Sequence, residues 1–445
     1  MRSRACPSLP LPGASRCLRL WLPGDGIKPI GHTDIGPRRA VGLTAADARQ
    51  HLHVLGATGS GKSTLIANLA LHDVDQHRGV IVIDPKGDLV TDILARLPES
   101  CADRLVILDP GDLHPPPCLN VLDGGAADVV VDNVTGIFAR IFAAFWGPRT
   151  DDVMRAACLT LLAYARAANR PVTLADIPRL LGEPAFRHRM LPMVKDPVLR
   201  GFWSWYETLS EPTRATVIGP VMNKLRAFLL RDFARRALTA GASTFHLPDI
   251  LAGGILLARL PKGALGEETT RLLGSFVVAK TWQAAAARAH TPEHARTDAS
   301  LYIDEAHNFL TLPYPLEDML AEARGYRLSL TLAHQNLAQL PRDLREGISA
   351  NARNKIFFNA SPEDAAVLER HSLPALTAHD LAHLGRYQAA ARLVADGAET
   401  AAFTFTTTQL PAPAPGRATA LRAAAADRTS QTPSRLRPAR PSHER

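Results

Sequence analysis

The chain has 445 residues, 46% of them apolar, too many for one simple core, which points to one large α/β domain with an insertion or to two or three domains. Its net charge is +8, but residues 411–445 carry seven Arg against one Asp and one Glu, so the rest is only mildly basic and charge alone does not select nucleic acid as a partner. No run approaches the roughly 20 apolar residues that span a bilayer, and the scattered Cys6, Cys17, Cys101, Cys118 and Cys158 show neither CxxC nor metal spacing, so a membrane span, a zinc site and a disulfide scaffold are not expected and a reducing, cytoplasmic compartment is.

Residues 1–40 are rich in Pro, Gly and Arg and read as a poorly ordered lead-in, with a short strand near 27–30. From Val41 the pattern sharpens. A short apolar strand at 52–55 runs into GATGSGKST and an amphipathic helix reaching about His72. VIVID at 80–84 and LVILD at 105–109 are continuous apolar runs, typical of parallel strands buried on both faces. Strand, helix, strand in that order indicates a βαβ sheet, so 41–127 forms the first part of an α/β core. Strand signals vanish over 128–249, where helical periodicity broken by prolines predicts an all-α insertion. They return at 255–260, 301–304, 328–333 and 355–359, and 387–406 reads as a hairpin around Ala395-Asp396-Gly397. Residues 250–410 thus complete the core. Beyond Leu410 the composition of Pro, Ala, Arg and Ser predicts a disordered basic tail over 411–445.

Gly56-Ala57-Thr58-Gly59-Ser60-Gly61-Lys62-Ser63-Thr64 fits the phosphate-binding pattern GxxxxGK[ST]. Its glycines let backbone N–H groups turn inward on phosphate oxygens, and the following helix adds its positive end. Lys62 would neutralise the β- and γ-phosphates and the Ser63 hydroxyl would ligate Mg²⁺. Gly59-Ser60-Gly61 lacks the third glycine of a dinucleotide fold at the required spacing. Such a loop needs a second strand that delivers carboxylates, and Leu301-Tyr302-Ile303-Asp304-Glu305 supplies one. Asp304 would hold Mg²⁺ through water, and Glu305 would orient and polarise the attacking water, an arrangement for ATP hydrolysis. A third strand ends in His334-Gln335, whose Gln335 amide is the candidate γ-phosphate sensor.

With HVLGATGSGKST, VIVIDPKGDLV, SLYIDEAHNF, LTLAHQNLAQLP and NARNKIFF on one chain, the sequence resembles the FtsK–HerA superfamily of RecA-like motors, most closely the TraG-like coupling ATPases of conjugation and type IV secretion. The resemblance covers about residues 40–405. It implies a RecA-like P-loop core, a homo-hexameric ring with DNA in its pore, ATP at subunit interfaces, and relaxase or secretion components as partners. It also implies that Asp84 and Lys86 form a supporting motif of unassigned role. Arg324 becomes the candidate arginine finger given in trans, with Arg327 and Arg353 as the other choices. Coupling proteins usually carry a membrane anchor, and no membrane segment is read in this chain.

Arg140, Arg149, Arg155, Lys224 and Arg226 lie among Phe138, Phe142, Phe145, Trp146 and Phe228, a mixture that can track a nucleic-acid strand but more often marks a helical core with snorkelling cations. Lys262, in a loop after a strand, is a candidate pore-loop residue. The favoured reading is ATP-driven DNA translocation in conjugative transfer. The alternatives are a HerA-like motor in DNA processing or defence, and a protein-cargo docking module switched by ATP.

Overall fold

The computed structural model describes residues 26–430. Its strands, in chain order, are β1 (Lys28–Thr33), β2 (Ala40–Leu43), β3 (Leu52–Leu55), β4 (Gly79–Asp84), β5 (Leu105–Leu108), β6 (Ile255–Arg259), β7 (Ala299–Ile303), β8 (Leu328–His334), β9 (Asn354–Phe357), β10 (Gln388–Arg392), β11 (Val394–Ala395), β12 (Ala398–Glu399) and β13 (Phe403–Thr407). The fold is mixed α/β and RecA-like, and the chain divides into two compact units.

One unit joins the chain up to His72 with Ser329–Leu410. Its strand order is β2-β1-β13-β10-β9-β3-β8. β3 lies parallel to both β8 and β9, with Leu55 level with His334 on one side and Phe357 on the other. The remaining pairs of this unit are antiparallel, and β11 and β12 form a small ribbon around Asp396-Gly397. The lead-in is more ordered than its composition predicts: β1 pairs with β13 and β2, and Ile30 and Val41 are buried. Pro29 and two flanking Gly hide the alternation, and one of the strand's two partners, β13, lies about 375 residues away in sequence. Residues 1–25 lie outside the described residues.

The second unit holds residues from Asp73 to Leu328 and the chain after Leu410. Its strand order is β7-β4-β6-β5, all parallel. Every residue of β4 is buried, as both faces of a parallel strand require. Between β5 and β6 the described structure is helical, with major helices Ala127–Ile141, Pro148–Ala168, Pro197–Thr208 and Glu211–Leu229. Phe138 and Phe228 are buried there and pack ring to ring at 5.9 Å, with Phe142, Trp146 and Phe276 around Phe138. Lys224 lies over the Trp146 ring, and Arg155 pairs with Asp132 at 2.6 Å. The aromatic part of the mixture is therefore mainly the core of the helical region, whereas Arg140, Arg149, Arg226 and Phe145 are exposed.

The tail departs from expectation. Residues Arg417–Ser430 form a helix docked on the second unit. Leu421 and Ala425 are buried. Arg417 donates to the Leu97 carbonyl at 2.6 Å, Arg422 pairs with Asp109 (2.6 Å) and Asp112 (2.9 Å), and Arg428 donates to the carbonyls of Asp103 and Leu105. The segment is rich in Ala, the best helix former, and its arginines are matched to acids and carbonyls of this same unit. Residues 431–445 of the expected tail lie outside the described residues. Among the described residues no helix is long and apolar enough to cross a membrane, and Cys101, Cys118 and Cys158 are buried free thiols.

Candidate nucleotide site

In the first unit, β3 ends at Leu55 and the loop Gly56–Gly61 leads into the helix Lys62–Asp75. The loop is anchored from both neighbouring strands. Gly56 N–H donates to the His334 carbonyl at 3.3 Å, Ala57 N–H to Asn359 at 3.1 Å, and Ser60 O accepts from Tyr387 N–H at 2.9 Å. Gly61 has φ +125°, and a Cβ there would meet the rings of Phe358 and Tyr387 at 3.0 Å, so only glycine fits. Lys62 is buried and its ammonium donates to the carbonyls of Gly56 (2.5 Å) and Ala57 (3.0 Å), folded into its own loop. The Ser60 hydroxyl is buried and has no hydrogen-bond partner in the protein. An orphaned hydroxyl and an inward lysine at a helix N-terminus fit an anion such as a phosphate group. Ser63 is exposed and Thr64 half-buried on the first turn, and Thr58 and Gly59 form the outer bend. Gln335 follows β8, half-buried, in the register position next to Gly56, and its N–H donates to Gln339 Oε1 at 3.1 Å.

Beneath this loop the unit holds a buried histidine pair. His53 Nε2 on β3 and His334 Nε2 on β8 lie 2.6 Å apart, and one must donate to the other, which two imidazolium rings cannot do. Burial first, then the neighbouring His334, Lys355 and His371, hold His53 well below the ordinary histidine range.

The second unit carries the carboxylates. Asp304 and Glu305 follow β7 and each is 3% exposed. Glu305 sits at φ +48°, ψ 52°, a left-handed conformation that non-glycine residues adopt at a cost and that gathers at functional sites. Its N–H donates to Asp304 Oδ1 at 3.1 Å, and its carbonyl accepts from Asn308 Nδ2 at 2.9 Å. Lys86 Nζ donates to Glu305 Oε1 at 2.7 Å. Burial alone would lower the Lys86 pKa, but the bond to Glu305 and the charges of Glu305, Asp304 and Asp84 outweigh it and hold the ammonium above its ordinary value. His307 Nδ1 lies 3.9 Å from Glu305 Oε2, and burial keeps its pKa below the usual value. A carboxylate pair of this kind supplies hard oxygen donors suited to Mg²⁺.

The structure also gives Asp84 a role that sequence leaves unassigned. Its Oδ1 accepts from the N–H groups of Lys86 and Gly87, both at 2.8 Å, and its Oδ2 from Val90 N–H at 3.0 Å. It shapes the turn into the helix Asp88–Leu94. Gly87, at φ +104°, lies under the Arg259 guanidinium, which a Cβ would meet at 2.4 Å. Arg259 pairs with Asp109 at 3.0 Å, and Asp109 is in turn bound by Arg422.

Of the three arginines weighed as a finger, Arg324 stands exposed at the end of the helix Leu316–Ala323. Arg327 donates to the Arg296 carbonyl at 3.0 Å, and Arg353, in the other unit, pairs with Glu399 at 3.2 Å. Lys262 opens a short helix, partly exposed and 3.9 Å from Glu267. The Lys86–Glu305 pair was invisible to sequence reading because the partners stand 219 residues apart. The sole signal was an isolated Lys after a buried strand's terminal Asp.

Two family models match separate stretches of the chain, and each stretch contributes residues to both units. A family model described as the central domain of helicase HerA matches residues 29–129, which include the loop 56–64, Asp84 and Lys86. A second, described as the TraM recognition site of TraD and TraG, matches residues 298–373, which include Asp304, Glu305, Arg324 and Gln335. No curated protein sequence matches the chain. Among solved structures, the unbound monoclinic form of the bacterial conjugative coupling protein TrwBdeltaN70 is similar with TM-score 0.58 and 17% identity, over 85% of this chain and 90% of that one. Plasmid coupling protein TrwB in complex with ADP and Mg²⁺ gives 0.58 and 18%, over 84% and 90%. VirB4 of Thermoanaerobacter pseudethanolicus gives 0.56 and 17%, over 87% and 97%. At these identities the likeness is one of fold.

Proposed function

We propose, from the premise that this chain is a P-loop ATPase of the FtsK–HerA superfamily with a TraG-type C-terminal segment, that it hydrolyses ATP to move DNA in conjugative transfer. The observation that carries the reading is a phosphate-shaped loop with an orphaned Ser60 hydroxyl, on the same chain as a buried Asp304–Glu305 pair held by a lysine. Two family models cover these two features, and the names TraD and TraG and the coupling-protein fold direct the reading to conjugation.

In this reading residues 56–64 bind the phosphates, with Lys62 leaving its own loop carbonyls to neutralise them. Ser63 and Asp304 hold Mg²⁺, which when bound offsets charge on the phosphate oxygens. Glu305 orients and polarises the attacking water, and Gln335 senses the γ-phosphate. The working form is a homo-hexamer on DNA, served by relaxase or secretion components. The match to a HerA central domain favours, as second reading, a DNA-processing motor; co-purification with a nuclease rather than a relaxase would select it.

The test is the turnover of the full chain with and without single- and double-stranded DNA. DNA is expected to raise the rate, with affinity falling steeply with salt as phosphate contacts release counterions. Lys62→Ala is expected to lose nucleotide binding, and Glu305→Gln to bind ATP without hydrolysing it. A rate indifferent to DNA at low and moderate salt would overturn the motor and favour an ATP-switched cargo module. Wild-type hydrolysis by Glu305→Gln would remove Glu305 from the chemistry.

A further inference from the structure

We propose that Tyr387 and Arg386 form the base-recognising wall of the nucleotide site, a flat aromatic–guanidinium platform on which the purine of ATP stacks. The proposal rests on the reading of residues 56–64 as the loop that holds the phosphates. Gly385 O accepts from Gln388 N–H at 3.1 Å, which closes a four-residue turn whose third residue is Tyr387, at φ +63°. That position of a turn calls for glycine or asparagine. A bulky aromatic placed there is held against its own preference.

The phosphate loop and the strand β13 hold it. Tyr387 N–H donates to Ser60 O at 2.9 Å, and its carbonyl accepts from the N–H (2.9 Å) and the hydroxyl (3.2 Å) of Thr407. A glycine could make the same backbone bonds without strain, so these bonds do not account for a tyrosine; its ring does. The ring is half-buried against Gly61, where a Cβ would meet Tyr387 Cδ1 at 3.0 Å. The exposed Arg386 lies over the ring, with its guanidinium carbon 4.8 Å from the centroid, and donates to the phenol oxygen at 3.0 Å. Ring and guanidinium are both planar, and nucleobases stack on either.

The platform also stands on the side of the loop where a base is needed. β3 has β8 on one side and β9 on the other. Gln335, read as the γ-phosphate sensor, follows β8. Tyr387 precedes β10, which runs antiparallel to β9, so it lies at the end of the sheet where the loop emerges, on the side away from Gln335. A nucleotide whose γ-phosphate meets Gln335 carries its base toward Tyr387. The flank of the loop's helix agrees. Asn68 Nδ2 donates to Thr408 O at 2.7 Å, one residue past the Thr407 that holds Tyr387. Thr64, the last residue of the loop, lies one turn before Asn68 on the same helix face.

The experiment measures, by calorimetry on the full chain, the binding of ATP and of inorganic tripolyphosphate, which has the phosphate chain and no base. Tyr387→Ala keeps the backbone bonds and removes the ring. It is expected to weaken ATP by about tenfold, as loss of a base–aromatic stack does, and to leave tripolyphosphate within about twofold of wild type. Tyr387→Phe keeps the ring and is expected to bind ATP within about threefold of wild type. In turnover, Tyr387→Ala is expected to raise KM for ATP with kcat nearly unchanged, the mark of lost uniform binding. Arg386→Ala, a change at an exposed side chain, is expected to repeat the selective loss of ATP in smaller measure, and it carries the comparison if Tyr387→Ala does not fold. Equal loss of both ligands would make the two residues supports of the loop and overturn the proposal, as would unchanged ATP affinity. ATP binding by Lys62→Ala as tight as wild type would bring down the reading of the loop and the proposal together.

Discussion

Asp84 spends both carboxylate oxygens on three backbone N–H groups, and it is 0% exposed. Its contribution is to the shape of a turn, and through that turn to where Lys86 stands. At the same scale, the His53–His334 contact makes a prediction about pH. His53 has a folded-state pKa below that of the unfolded chain, about 6.5. Below that pH the unfolded chain therefore binds more protons than the folded one. The contribution of His53 to stability is constant well above pH 6.5 and is lost as pH falls beneath it, by up to about 1.4 kcal/mol per pH unit for one proton. His371, lowered to about 4 by burial and then by Lys355, Arg370 and Arg392, acts in the same direction. Urea unfolding of the full chain is expected to give a lower midpoint at pH 5.5 than at pH 7.5, with a smaller drop in His53→Asn. An equal drop in the variant would show that the pair is not the source.

The helix Arg417–Ser430 is held to the second unit by a buried leucine and by its arginines. It buries Leu421 and supplies Arg422 to Asp109, an acid otherwise served by Arg259. A chain ending at Leu410 loses the burial of one Leu, about 1.5–3 kcal/mol, and a charge partner of a buried Asp. Its melting temperature is expected to drop by about 2–5 °C in a thermal-shift measurement, and Arg422→Ala by less; an unchanged melting temperature would mean the helix contributes nothing to stability. Loss of DNA affinity on that truncation would then not isolate an electrostatic tail, because Arg417, Arg422 and Arg428 already serve the chain's own acids and carbonyls. The buried strands of the core were legible because VIVID and LYID carry their periodicity locally. This helix was not. Its stabilising partners Asp109 and Asp112 lie some 310 residues upstream, and no local pattern announces them. The same distance problem hid the extent of β1, which sequence marks only near 27–30 and which pairing with β13 carries to Thr33. It also hid the partner of Lys86, while the loop 56–64 needed no partner to be read.

At the scale of the whole molecule, the proposed ring makes an asymmetric prediction. Arg324 stands exposed at a helix end, where it can serve a neighbouring subunit's phosphates in the proposed assembly. Such fingers contribute about 10³–10⁵ in rate in well-studied phosphoryl-transfer systems, whereas an exposed ion pair would contribute about 0–1 kcal/mol of stability. Arg324→Ala is expected to bind ATP normally and to be nearly inactive alone. Mixed with Lys62→Ala subunits it is expected to regain activity, because each of its own loops can receive a finger from the neighbour. Absence of recovery in verified mixed oligomers would remove Arg324 from that role. The loop's anchoring has a consequence for biosynthesis. Its supports on β8, β9 and Tyr387 are made roughly 280 to 330 residues after β3. At about 5–20 residues per second, the ribosome spends tens of seconds with the glycine loop emerged and its neighbouring strands not yet translated. A nascent chain of this protein is therefore blind to nucleotide until translation is nearly complete.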